Sequence, residues 1–209
     1  MTTWLIRGLV AVVFSLVAAQ AGNVPSAKKA LEVATTSESS VASNRLIRLE
    51  GTGSDSDMRP RQWDLTFFDS KRKNKGTVVR VKDGAAVSVA GAVRVMDDAR
   101  VDAGLRNFTG YSPAEVINLA RWKLDSNEAL AKVSGLAGLE KVQLTDVKME
   151  LQKLSDGDVA PVWRVRVKAR LRDKPGNENW IGGVELSAET GEILRNDLNV
   201  DRLNKKRLF

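Results

Sequence analysis

Five cations stand at alternate positions late in the chain: Arg164, Arg166, Lys168, Arg170 and Arg172. Side chains of this type, so spaced, can do one kind of chemistry, the recognition of an anionic group. The residues between them, Trp163, Val165, Val167, Ala169 and Leu171, are all apolar. A strict period of two is the signature of a strand with one buried and one wet face. The five cations therefore share the wet face, where they repel one another unless something answers them. Glu150 and Glu185 on flanking strands are placed to lie opposite, and such cross-strand pairs contribute roughly 0.2–1 kcal/mol each. The other answer is a docked acidic partner. Trp180 follows a polar turn, is hard to bury, and joins the five cations as a candidate partner-binding residue. Trp63 and Trp163 read instead as core anchors of matching strands.

Catalysis is poorly supplied. The chain has no histidine and no cysteine, which removes thiolate nucleophiles, His-based acid–base work and Cys/His metal sites. Asp55 and Asp57, and further along Asp97, Asp98 and Asp102, form carboxylate clusters on expected loops. They lack the alternating ligands, fixed glycine and terminal glutamate of a calcium-binding loop. Asp156-Gly157-Asp158 is turn chemistry. Gly51-Thr52-Gly53 lacks the lysine and helix start of a phosphate loop, so it also reads as a turn. No catalytic residue, metal ligand or cofactor is expected. The formal charge of +7 favours anionic partners in general. Nucleic acid is not among those expected: binding it would need stacking aromatics interleaved with the cations and an access that the export expected from residues 1–21 denies.

The elements that must position the cationic strand begin after residue 21. Residues 1–21 carry Arg7, an apolar run from Leu9 to Ala19 and a small-x-small end at Ala19-Gln20-Ala21, the pattern of a cleaved signal peptide. The apolar run is shorter than the roughly 20 residues a spanning helix needs, and no later stretch is apolar enough to span. The expectation is an exported protein, periplasmic or extracellular. Ser26 to Thr36 predicts a short helix capped by Ser26. Leu46 to Leu49, Gln62 to Phe68 and Thr77 to Val81 predict strands, with Asp83-Gly84 a turn. Ser112-Pro113-Ala114-Glu115 has the form of a capping box, with Tyr111 and Val116 as a staple, and predicts a helix running through Ile117 and Leu119 to Leu124. Ser126 to Val133 continues it or forms a second short helix. Lys141 to Leu154 predicts a long strand leading to the cationic one. Lys174-Pro175-Gly176-Asn177 predicts the turn into the strand Ile181 to Leu186, which Thr190-Gly191 closes.

The two halves repeat an order of parts. Ser26 and Ser112 each begin a helix; Trp63 and Trp163 each lead an alternating strand; Asp83-Gly84 and Thr190-Gly191 each close a unit. The predicted fold class is α+β, two tandem units each with a helix packed on an antiparallel sheet. The boundaries are a degenerate unit at 22–95, a linker at 96–110, a better formed unit at 111–200 and a basic tail at 201–209. The helix from Ser112, the strand Val162-Trp163-Arg164-Val165 and the run Gly183-Val184-Glu185-Leu186 to Glu189-Thr190-Gly191-Glu192-Ile193-Leu194 resemble the PepSY family. The whole is similar to secreted tandem PepSY-like or cystatin-like proteins. Ala188 departs from the family pattern, where Asp often stands.

The resemblance implies a non-enzymatic exported binding protein, inhibitor-like or modulatory, whose partner is another exported protein, a protease being the implied kind. The alternative is a structural or accessory envelope protein that holds an anionic polymer or membrane surface by charge. Ionic strength separates the two, since polyanion binding falls steeply with salt.

Overall fold

The computed structural model describes residues 24–72, 75–91 and 111–204. The segment 1–21, the stretch 96–110 with Asp97, Asp98 and Asp102, and the end of the tail at 205–209 lie outside the described residues. Among the described residues the fold is α+β and dominated by one antiparallel sheet of eight strands. In chain order these are β1 (Leu46–Ser54), β2 (Pro60–Phe68), β3 (Gly76–Lys82), β4 (Ala85–Gly91), β5 (Val142–Gln152), β6 (Val162–Leu171), β7 (Lys174–Ser187) and β8 (Ile193–Asn196). Across the sheet the order is β4-β3-β2-β1-β5-β6-β7-β8. Helix α1 (Ala27–Ser37) precedes the first four strands and α2 (Ser126–Ser134) the second four.

Strands β1 and β5 join the halves. Leu49 pairs with Leu151, Glu50 with Glu150 and Gly51 with Met149. One hydrophobic cluster runs through both halves on one face of the sheet. It holds Trp63, Leu65, Phe67 and Val79 from the first half and Met149, Leu151, Trp163 and Val165 from the second. The helices cover it with Ala27, Ala30, Leu31 and Ala34 from α1 and Ala129, Leu130 and Val133 from α2.

Trp63 and Trp163 meet edge to face, their ring centres 6.4 Å apart, an arrangement that adds about 0.5–1.5 kcal/mol beyond area burial. Each indole N–H finds a carbonyl, that of Trp63 on Pro25 at 2.8 Å and that of Trp163 on Leu124 at 2.9 Å. Pro25 and Leu124 stand immediately before the helix caps Ser26 and Asp125. The two helix starts also touch. The Ala27 amide donates to Ser126 Oγ at 3.0 Å and the Lys28 amide to Asp125 Oδ1 at 3.2 Å.

Three local expectations are corrected. The Ser112 capping box exists, yet it holds only a 3-10 turn (Pro113–Glu115), followed by a second one (Leu119–Arg121). Val116 is extended, with φ −62° and ψ 130°, and the Ile117 amide donates to Leu46 O at 2.7 Å. A bond to the sheet thus replaces the helical one, and the true helix starts at Asp125. The helix before the second four strands is therefore capped by Asp125 and not by Ser112.

Second, Gly51 does not end β1. A Cβ there would lie 2.4 Å from the Trp63 ring, so glycine is what lets the strand pass beneath the indole.

Third, the turn into β7 is Arg172-Asp173, since Leu171 already pairs with Lys174. The register then jumps to Arg170 opposite Glu178. Pro175, which has no N–H for the ladder, falls in that irregularity.

Candidate binding face

The second face of the sheet carries charge. One cross-strand row reads Ser88, Arg80, Asp64, Glu50, Glu150, Arg164, Glu185 and Arg195, one residue from each strand. Most of the row answers itself. Arg80 donates from Nε and Nη2 to the two carboxylate oxygens of Asp64, each at 2.7 Å, which raises the Arg80 pKa. Arg164 donates to Glu185 Oε1 at 2.9 Å. Glu50 and Glu150 are like charges directly opposite, an unfavourable pair. Arg48 lies 2.7 Å from a carboxylate oxygen of each, and Lys148 Nζ lies 3.6 Å from Glu50.

The six candidate residues divide within this face. Arg164 faces both expected acids, Glu150 and Glu185, in register. Lys168 pairs with Glu178 at 3.0 Å. Arg170 donates twice to Gln143 Oε1, at 3.0 and 2.9 Å. Arg172 is not on the strand face; it sits in the turn and donates to the Glu140 carbonyl. Arg166 is exposed, and no carboxylate among the described residues pairs with it. Its guanidinium lies over the Trp180 ring, 5.3 Å from the centre, a cation–π contact.

A bulge produces that contact. Val167 pairs with Gly182 and Lys168 with Trp180, so Ile181 is the extra residue. Ile181 is fully buried in the core, and Trp180 is left half-buried on the charged face. Arg166 itself pairs with Gly183, which has no side chain to fill the space opposite. Gly182 has φ +125°, and a Cβ there would lie 2.2 Å from the Asp197 carbonyl oxygen. Residues 197–199 run close alongside, with the Asp197 amide donating to Gly183 O and the Asn199 amide to Ile181 O.

The result is a depression of about 270 Å3, floored by Gly182 and Gly183 and walled by Trp180, Arg166, Arg195 and Arg202. Arg164 and Glu185 form one rim, and Arg195 pairs with Asp197 across another at 2.6 Å. Two of its cations, Arg166 and Arg202, have no ion-pair partner among the described residues. The sequence pointed to Arg166 and Trp180. It missed Arg195 and Arg202, because only the return of β8 beside β7 brings them there.

A second concavity, about 700 Å3 and open, runs along the two 3-10 turns between Pro113 and Ala120, with Lys153 and Asp158 at its edge. Its neighbour Arg121 donates to Glu189 Oε2 at 2.8 Å, and this hydrogen bond holds the Glu189 carboxyl below the usual glutamate range. Lys153 Nζ donates to Ala114 O and Arg121 to Asp158 O, so both cations hold backbone carbonyls. Asp55 and Asp57 are likewise turn acids, both paired with Arg59. Ala188 is fully buried, and its carbonyl accepts from the Lys123 and Leu124 amides, so an aspartate side chain would have no water to meet there. Comparison of the chain with protein-family models, with curated proteins and with solved structures returns no match.

Proposed function

We propose that the chain is an exported, non-enzymatic binding protein that docks another exported protein, in an inhibitor-like or modulatory way, through the charged face of its sheet. The observation that carries this reading is Arg166, set over the Trp180 ring and without an ion-pair partner among the described residues, on a strand whose Arg164, Lys168 and Arg170 all have polar partners. Arginine and tryptophan are among the residue types most enriched at binding hot spots. In this reading the molecule consists of two tandem helix-on-sheet units of PepSY-like type. Their support is the matched anchoring of α1 by Trp63 and of α2 by Trp163, at sequence separations of 38 and 39. The envelope-polymer alternative draws on the overall charge of +7, but the row of paired charges across the sheet leaves no continuous cationic track.

The test is capture from cell-envelope extract on residues 22–209, eluted in rising salt, with wild type and Arg166→Glu side by side. The expected outcome is one protein retained at high salt by wild type and released by the variant. Retention that is equal for both, or polyanions alone that leave at moderate salt, overturns the reading.

A further inference from the structure

We infer that the depression over Gly182 and Gly183 is a receptor for a single carboxylate, carried by an acidic side chain of the docked protein, with the chain that bears it lying on Trp180. This rests on the docking role proposed above and names the chemistry that docking would recognise. Four arginines and two acids surround the space. Arg164 is tied to Glu185 and Arg195 to Asp197, so the charge left over is that of Arg166 and Arg202. The Arg166 guanidinium carbon lies 5.3 Å from the Trp180 ring centre, a cation–π contact that leaves its planar fork of N–H groups to donate to an anion. That geometry suits the planar fork of a carboxylate.

The glycine floor is what keeps the space open. A Cβ on Gly183 would meet Val165 O at 3.0 Å and Arg166 Cγ at 3.3 Å, and one on Gly182 would strike the Asp197 carbonyl. The same geometry argues against a linear polyanion. The depression, about 270 Å3, has room for an acidic group and its stem. A polymer laid across the strands from there meets Glu185, Arg164, Glu150 and Glu50 in one row, three acids to one cation, and juxtaposed like charges are costly.

The experiment uses residues 22–209 with nitrogen-15 label and follows the Trp180 indole and Arg166 Nε resonances. Three probes are titrated: a capped Gly-Glu-Gly peptide, the same peptide with Gln, and inorganic phosphate. The Glu peptide is expected to move both resonances saturably and the Gln peptide to leave them still. Arg166→Gln should weaken binding of the Glu peptide about tenfold or more, the worth of a lost charge-assisted hydrogen bond. Arg61→Gln, which removes the same charge from the other half, should change it little. Folding of each variant is checked by the dispersion of the remaining resonances. Equal response to Glu and Gln peptides, or response to phosphate alone, overturns the carboxylate assignment. The two readings separate cleanly. Peptide binding without Arg166-dependent capture keeps the receptor and removes the docking role, while Arg166-dependent capture without peptide binding does the reverse.

Discussion

At the centre of the sheet, two glutamates face each other where a sheet would ordinarily avoid the pairing. Glu150 is the more enclosed, its side chain 12% exposed, and Glu50 is 28% exposed. Arg48 bridges them, and Lys148 approaches from the far side. Burial raises the cost of an unanswered carboxylate well above that of a surface pair. Arg48→Met should therefore lower stability by about 1–3 kcal/mol, read as a fall in the urea midpoint at unchanged slope. Adding Glu150→Gln should recover much of that loss, because it removes the repulsion that Arg48 was answering. Were the double variant less stable than the single one, the quartet would be held by something other than charge. Arg166 makes the contrast: it has no acid to answer, and its loss should cost folding little while changing binding.

At the scale of elements, the helix starts decide how the two halves are set. Asp125 caps α2 in a full capping box with Glu128, and its carboxylate also accepts from the Lys28 amide at the start of α1. Ser112 makes a box of the same form but holds one 3-10 turn. Asp125→Ala should cost about 1–2 kcal/mol, the upper part of the range for a lost cap, and Ser112→Ala distinctly less, both by thermal or urea unfolding. Equal losses would mean that the segment after Ser112 is the more tightly held.

The same pair shows what a sequence can and cannot carry. Alternation made β2 and β6 legible, along with the buried faces of Trp63, Leu65, Trp163 and Val165, because period two is a property of the chain alone. The capping box at Ser112 was legible too. What followed it was not, since the Ile117 amide is taken by Leu46 O, a partner remote in sequence. Gly51 looked like a break for a similar reason; the ring that requires it belongs to the neighbouring strand. The candidate face followed this rule, with Arg166 visible in the alternation, Trp180 in its place beside a polar turn, and Arg195 and Arg202 supplied only by the fold.

For the whole molecule, the question is whether the two halves of the sheet behave as two bodies or one. The shared core argues for one. Trp63 touches Trp163, β1 and β5 pair at the middle of the sheet, and Ser126 satisfies the first amide of α1. Pulling the halves apart would bare Leu49, Met149 and Leu151, all fully buried, and uncover two long strand edges. Such a molecule should unfold in a single step. Far-ultraviolet ellipticity, which follows the backbone, and tryptophan fluorescence, to which Trp63, Trp122 and Trp163 near the junction contribute together with Trp180, should trace the same curve in urea. Trp163→Ala supplies the sharper form of the test. Its cost of about 3–5 kcal/mol should lower the midpoint for both probes together, because the first half loses its neighbour along with the second. If ellipticity instead showed two steps, with only the later half of the signal displaced by the variant, each half would hold its own core and the β1–β5 pairing would be a contact between domains.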